Sequence, residues 1–441
     1  MIYKFLKVNF LEAGLYLLVF LLPLQTRWIF KTGVIQGNYW EYGTYSFYII
    51  DIFLGLLVSI FLMNKFGKLR FLKSNVNWRF IWFFVSLLEL FVFISILFAT
   101  DFTLAFYGYL RFLASLSLFF LILQIKFDTI KLYWSLSLSG AVQSVVAMQQ
   151  FAMQKISANK WLGMATQNSA QAGTSVVETE LRRWLRAYGT LSHPNIIGGF
   201  LAIVLIINIV LYFKVWEKFN QSNDRQYRIY ILFSLILIIL NTVGLLLTFS
   251  RTAWLAFLIG LLLLIPWAVD RYHKWGAIMI TKVIFIVIVT ALATIMIFTE
   301  PFQTRWQASQ RLEKLSLTQR KDYYQDARQI INKHWLTGVG VKNYGQAVFN
   351  EINGQRSSYE YEPVHNTLLL IWAEIGFGGV AVFVVMLIYL FAGSMNKKKY
   401  FSACLIFALT MLLIFDHWLW SMVFGLYFFW LVVGLSVRSD L

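Results

Sequence analysis

Tyr361 to Val380 reads YEPVHNTLLLIWAEIGFGGV, and its character changes in the middle. Up to Asn366 it is polar and carries Glu362, Pro363 and His365. From Leu368 it becomes apolar, and Glu374 is the single charge across 366–392. A bilayer-crossing helix needs about 20 mostly apolar residues, so this stretch reads as a water-exposed loop entering a membrane. Working outward, the same kind of run recurs: 10–30, 44–64, 80–99, 103–124, 131–153, 192–213, 229–249, 252–269, 277–299, 366–392, 400–415 and 417–436. Lipid-facing backbone must satisfy its hydrogen bonds internally, so all twelve are expected to be helices.

Composition agrees. Of 441 residues, 59% are hydrophobic and 13% charged, whereas soluble domains carry about 25% charge. The expected fold class is an all-α polytopic membrane protein with about 12 transmembrane helices. Its expected divisions are 1–153 (spans 1–5), an outer loop at 154–191, 192–299 (spans 6–9), a large outer loop at 300–364, and 365–441 (spans 10–12).

The net charge of +17 does not point to nucleic acid here, because Lys and Arg in a membrane protein report topology and contact with lipid headgroups. With the N-terminus inside, nineteen Lys and Arg fall on the inner side, against Arg27, Lys31 and Arg251 in the short outer connections. Both termini are then cytoplasmic. The first apolar run is too long for a signal-peptide core and lacks a small-x-small cleavage site, so it reads as an uncleaved span. Cys404, the single cysteine, lies in an apolar run and excludes an intrachain disulfide or a cysteine-based metal site. Walker-type loops, HExxH, acidic metal pairs in an outer loop and Gly-x-Ser-x-Gly elbows are absent, which excludes ATPases, zinc proteases and serine hydrolases.

Within the large outer loop, Tyr323, Ala327, Ile330, Ile331 and Trp335 recur at helical spacing between Thr318 and Trp335, and Gly338 and Gly340 end the pattern. An amphipathic helix over the outer face is expected, either as a lid or simply packed on the bundle.

Three arginines stand at or near that face: Arg186, Arg251 and the intramembrane Arg111. A guanidinium is a planar fork suited to phosphate oxygens, so an outward basic pocket points to an anion such as a lipid-linked diphosphate. Each has a competing role. Arg251 could anchor at the interface, Arg186 could be a solvated loop charge, and Arg111 could pair with Glu89 across the hairpin around Thr100 to Phe102. Among the histidines, His273 falls in an inner loop, His334 on the amphipathic helix, and His193 and His417 at span starts. His365 sits where the large loop re-enters the membrane. It can accept a proton from a hydroxyl, or simply cap the helix. Nucleotide-activated donors are not generally available outside the cytoplasmic membrane, so transfer there needs a donor that carries its own leaving group.

Four segments in order, RAYGTLSHPNIIGGFLA from Arg186, TFSRTAWLAFLIG from Thr248, KDYYQDARQIINKHWLTGVGVKNYG from Lys321 and VHNTLLLIWAEIGFGGV from Val364, resemble the O-antigen ligase and O-antigen polymerase superfamily of bacterial membrane glycosyltransferases. The likeness covers roughly Trp184 to Gly379. It implies glycan transfer, independent of metal and cofactor, from an undecaprenyl-diphosphate-linked donor to a lipid, glycan or protein acceptor hydroxyl at the outer face of the bacterial cytoplasmic membrane. By the resemblance, Arg186 and Arg251, with Arg111 less directly, would hold the diphosphate. His365 would be the catalytic base, and Asn366 and Glu374 would support it. One departure is His334-Trp335-Leu336 before TGVG, where the family commonly has a proline. O-antigen ligation, repeat-unit polymerisation and protein O-oligosaccharide transfer share these motifs. A lipid-linked oligosaccharide flippase and a scaffold subunit of an assembly complex are the readings from other classes, though a transporter should show paired repeats and polar groups near the midplane.

Overall fold

A computed structural model describes residues 10–65, 77–222, 224–307 and 310–438. Of the inner-side cations, Lys4, Lys7, Lys68, Arg70 and Lys73 lie outside them. Among the described residues, six helices are long and apolar enough to cross a membrane, with four shorter apolar helices beside them.

The helices are α1 (Phe10–Leu21), α2 (Ile49–Lys65), α3 (Trp78–Ser95), α4 (Phe102–Gln124), α5 (Thr129–Met153), α6 (Pro194–Ser222), α7 (Gln226–Leu247), α8 (Arg251–Ile297), α9 (Thr299–Gln307), α10 (Arg311–His334), α11 (Tyr344–Glu351), α12 (Thr367–Asn396), α13 (Tyr400–Phe415), α14 (Trp418–Ser421) and α15 (Val423–Val437). Side-chain caps mark several starts. Asp101 accepts from Leu104 N at 3.0 Å, Asp128 from Ile130 N at 2.8 Å and Asn366 from Leu369 N at 3.0 Å, each satisfying an N–H that the helix leaves free.

Several apolar runs differ from the expected single helices. The first helix stops at Leu21, and Arg27–Lys31 instead pairs antiparallel with Tyr45–Tyr48. Pro23 cannot continue a helix, and the Trp28-Ile29-Phe30 sequence favours a strand. The runs at 252–269 and 277–299 belong to one long helical segment, broken at His273 (φ 51°, ψ −131°), where an inner loop was expected.

Helix α6 is the axis. Every residue from Ile196 to Val210 is buried, with α5, α7, α8 and α13 packed around it. A helix apolar on all sides can only be stable inside a bundle, and Pro194 opens it where a missing N–H costs nothing.

Both long polar segments gather at one end of the bundle. In the first, Val176–Glu178 pairs with Arg183–Leu185 and packs on α9 and α10. Trp184 Nε1 donates to Glu300 at 3.2 Å, and Arg311 reaches Glu178 at 3.1 Å. The second contains α9 to α11. Helix α10 buries Ala327, Ile330 and Ile331 as its spacing foretold, while Trp335 lies just past its end and is exposed. Beyond it, Gly338 and Gly340 dock on α12. Val339 N and Gly340 N each donate, at 2.9 Å, to the carbonyls of Ala373 and Glu374. Those carbonyls are available because α12 breaks at Gly376 (φ 76°). A Cβ at Gly376 would stand 2.0 Å from Leu336 O, so neither the backbone conformation nor the space admits a side chain.

Candidate active site

His365 is positioned by the start of α12. Asn366 caps that helix, so the preceding imidazole projects from a fixed point, and Tyr324 Oη donates to its backbone carbonyl at 3.4 Å. Opposite it stands Asp416, where α13 ends. His365 Nδ1 lies 3.3 Å from Asp416 Oδ1, an oxygen that also accepts from His417 N at 2.8 Å. Thr367 Oγ1 donates to the Asp416 carbonyl at 2.7 Å, joining the two helix ends.

The other Asp416 oxygen, Oδ2, accepts from Asn195 Nδ2 at 3.0 Å. Asn195 Oδ1 accepts from Arg186 Nη2 at 2.8 Å, and Arg186 Nε donates to Thr248 O at 2.8 Å. A continuous hydrogen-bonded chain therefore runs Arg186, Asn195, Asp416, His365. Arg186 is 7% exposed, which overturns the alternative of a solvated loop charge. Burial, with Arg320 and Arg251 nearby, pulls its pKa down to about 10 despite Tyr188.

Burial alone would raise the Asp416 carboxyl, yet the hydrogen bond from His365 holds it well below the usual carboxylate range. An ionised Asp416 fixes the proton of neutral His365 on Nδ1 and leaves Nε2 as acceptor. The His417 ring lies 5.1 Å from that of His365, and its Nδ1 meets Ser421 Oγ at 2.7 Å. His193 Nδ1 accepts from Asn195 N at 3.1 Å.

Arg251 is the first residue of α8, with its side chain 45% exposed. Nη2 bonds Glu313 Oε2 at 3.1 Å, and the other Glu313 oxygen pairs with Arg305. Arg305 Nε donates to Phe249 O at 3.0 Å. Arg320, half-buried on α10, acts electrostatically on Arg186, Arg305 and His417 without a hydrogen bond or ion pair of its own among the described residues. Arg186, Arg251, Arg305 and Arg320 thus form one cationic group beside the Asp416–His365 pair.

Arg111 stands elsewhere. It pairs with Asp51 and with the Ser46 carbonyl, takes Tyr107 Oη at 3.1 Å, and lies 5.0 Å from the Tyr107 ring. The expected Glu89–Arg111 pair is not formed: Glu89 accepts from Tyr109 Oη at 2.5 Å. Two residues along a helix turn the side chain by about 200°, so Tyr109 meets Glu89 while Arg111 faces inward to the first turn of α2. Arg111 instead lines a pocket with Lys342, Glu374 and Trp420. Glu374 Oε2 there accepts from Trp420 Nε1 at 2.8 Å. Asn366 and Glu374 are thus helix-end and core polar groups. His334 pairs with Glu351 at 3.0 Å.

Sequence reasoning missed Asn195, Asp416, Arg305, Glu313 and Arg320. Asp416 had a signal, being the lone acid between two apolar runs in IFDHWLW. The imidazoles of His365 and His417 and the Asp416 carboxylate present ligand atoms within 4.8 Å of one another, a donor set that a transition metal can accept. Each also has a protein partner: Asp416 Oδ2 serves Asn195, and His417 Nδ1 meets Ser421.

A family model described as O-antigen ligase matches residues 233–384. The matched region includes Arg251, Arg305, Glu313, Arg320 and His365 and leaves Arg186, Asn195 and Asp416 outside. No curated protein matches the chain. The match supports the O-antigen ligase superfamily that the motifs resemble, and with it a membrane role in glycan transfer for cell-surface polysaccharide assembly.

Proposed function

We propose that the protein is a multi-pass glycosyltransferase of the cytoplasmic membrane, with about twelve crossings, both termini inside and its site facing outward. It transfers glycan from an undecaprenyl-diphosphate-linked donor to an acceptor hydroxyl. The observation that carries this reading is the chain Arg186–Asn195–Asp416–His365, which ties a buried guanidinium, suited to a phosphate, to an oriented imidazole, suited to a hydroxyl.

In the reaction the acceptor oxygen bonds to the anomeric carbon as the bond from that carbon to the diphosphate oxygen breaks. His365 Nε2 takes the hydroxyl proton. The electron pair of the broken bond leaves on the diphosphate, where Arg186, Arg251 and Arg320 stabilise charge that grows toward the transition state. The Arg186 guanidinium, already fixed by Thr248 O and Asn195, needs little reorganisation at that moment. Asp416 holds the His365 tautomer and stabilises the imidazolium that forms, and the proton later passes to water. Arg111, paired with Asp51 and held by the Ser46 carbonyl and Tyr107 away from the cationic group, is given a structural part. No step requires a metal, so transfer should survive a chelator at millimolar concentration. Loss of transfer on chelation, restored by one divalent ion, would instead assign the His365, Asp416 and His417 group to a metal.

Reconstituted protein supplied with undecaprenyl-diphosphate glycan tests the class. Product that forms only when an acceptor lipid or protein is added indicates ligase or protein transferase, and long polymer from donor alone indicates a polymerase. Arg251→Ala should abolish transfer while membrane insertion is retained.

A further inference from the structure

Glu313 is buried at 7% exposure in the first turn of α10 and uses both carboxylate oxygens on arginines. One takes Arg251 at 3.1 Å and the other takes Arg305. A two-oxygen anion that takes one N–H from each of two guanidiniums occupies the place that a phosphate's oxygens take when two arginines share them. Arg305 is placed for that role and has no part in the motifs: its side chain is 13% exposed, Nε is anchored on Phe249 O at 3.0 Å, and Nη1 faces Glu313. Burial, with Arg186, Arg251 and Arg320 around it, draws Arg305 well below the usual guanidinium range. Four guanidiniums share this region with three carboxylates, Glu313, Asp416 and Glu362, the last 3.9 Å from His365 Nε2. With Glu313 set aside, two positive charges are left, against the two negative charges of a diphosphate diester.

We propose that Arg305 is a further donor-binding residue, gripping the diphosphate together with Arg251, and that Glu313 is the resident anion the diphosphate displaces. This rests on the diphosphate reading above and adds to it an exchange. The incoming phosphate takes the two forks, Glu313 turns out toward water, and the first turn of α10 is released from Arg251 and Arg305. Before the exchange Glu313 compensates Arg251 and Arg305, and after it the diphosphate does. The same helix start thereby senses whether donor is bound.

The test is binding of radiolabelled undecaprenyl diphosphate to the full-length protein in lipid nanodiscs, read as Kd together with thermal stability. Glu313→Gln keeps the side-chain shape but removes the competing charge, so Kd should tighten about tenfold, a change of about 1.4 kcal/mol. Arg305→Lys keeps the charge but loses the fork, and Kd should weaken by about the same factor. Ligand-free Glu313→Gln should melt lower than wild type and recover more on adding the lipid. Where Glu313→Gln folds poorly, Glu313→Asp, too short to span both arginines, should shift Kd in the same direction. An unchanged or weaker Kd in the Glu313 variants overturns the exchange, and an unchanged Kd in Arg305→Lys removes Arg305 from the site. Arg251→Gln separates the two readings. If it leaves binding intact, the diphosphate site itself is wrong, whereas loss there with unaltered Glu313 variants sinks only the exchange.

Discussion

Asp416 is the residue on which the chemistry turns, because one carboxylate faces both the base and the arm that reaches Arg186. Replacing it by asparagine keeps the shape but lets the amide offer N–H where His365 Nδ1–H needs an acceptor. Asp416→Asn should therefore lower kcat by about 10²-fold or more, the usual scale of a general base held wrongly, and leave donor binding nearly intact, as steady-state kinetics with varied donor would show. His365 and the two motif arginines were legible in the sequence because a charged or titratable residue at a membrane boundary is conspicuous. Asp416 and Asn195 were not, since their significance lies in contacts across 51 and 221 positions of chain, which no local pattern encodes. The opposite error occurred at Arg111, where depth along the hairpin suggested Glu89 but the face of the helix chose Asp51.

At the scale of elements, the junction of TGVG with α12 sets where His365 stands. Gly376→Ala would demand a positive φ and a Cβ within 2.0 Å of Leu336 O, strain of about 1–3 kcal/mol before any clash. The variant should melt lower and lose transfer together, checked by thermal denaturation in detergent and by activity at a permissive temperature. Asn366→Ala removes only the cap bond to Leu369 N, worth about 1 kcal/mol, and should leave measurable transfer. Helix α10 was readable from its period. The break at Gly376 was not, because a glycine in an apolar run looks the same whether it packs or kinks. The hairpin of Arg27–Lys31 with Tyr45–Tyr48 was hidden in the same way, since hydropathy alone does not separate an apolar strand from the end of a helix.

For the whole molecule, Asp416 sets a pH limit. Its carboxyl is held below the usual carboxylate range in the folded state, so the unfolded chain binds this proton first and stability falls as pH drops below about 4. Melting temperature against pH should decline there, and less steeply in Asp416→Asn. The proposed topology is testable in the same preparation, because Cys404 is buried and alone. A cysteine placed at Ser357 should react with an impermeant maleimide from outside, and one at Lys397 only after permeabilisation. The helical membrane class followed directly from composition, whereas gathering both polar segments over one bundle end required the fold. The most direct test of the account is glycan transfer by proteoliposomes supplied with undecaprenyl-diphosphate glycan and candidate acceptors, comparing wild type with His365→Ala. The account predicts product from wild type and none from the variant at equal membrane insertion; full transfer by His365→Ala would contradict it.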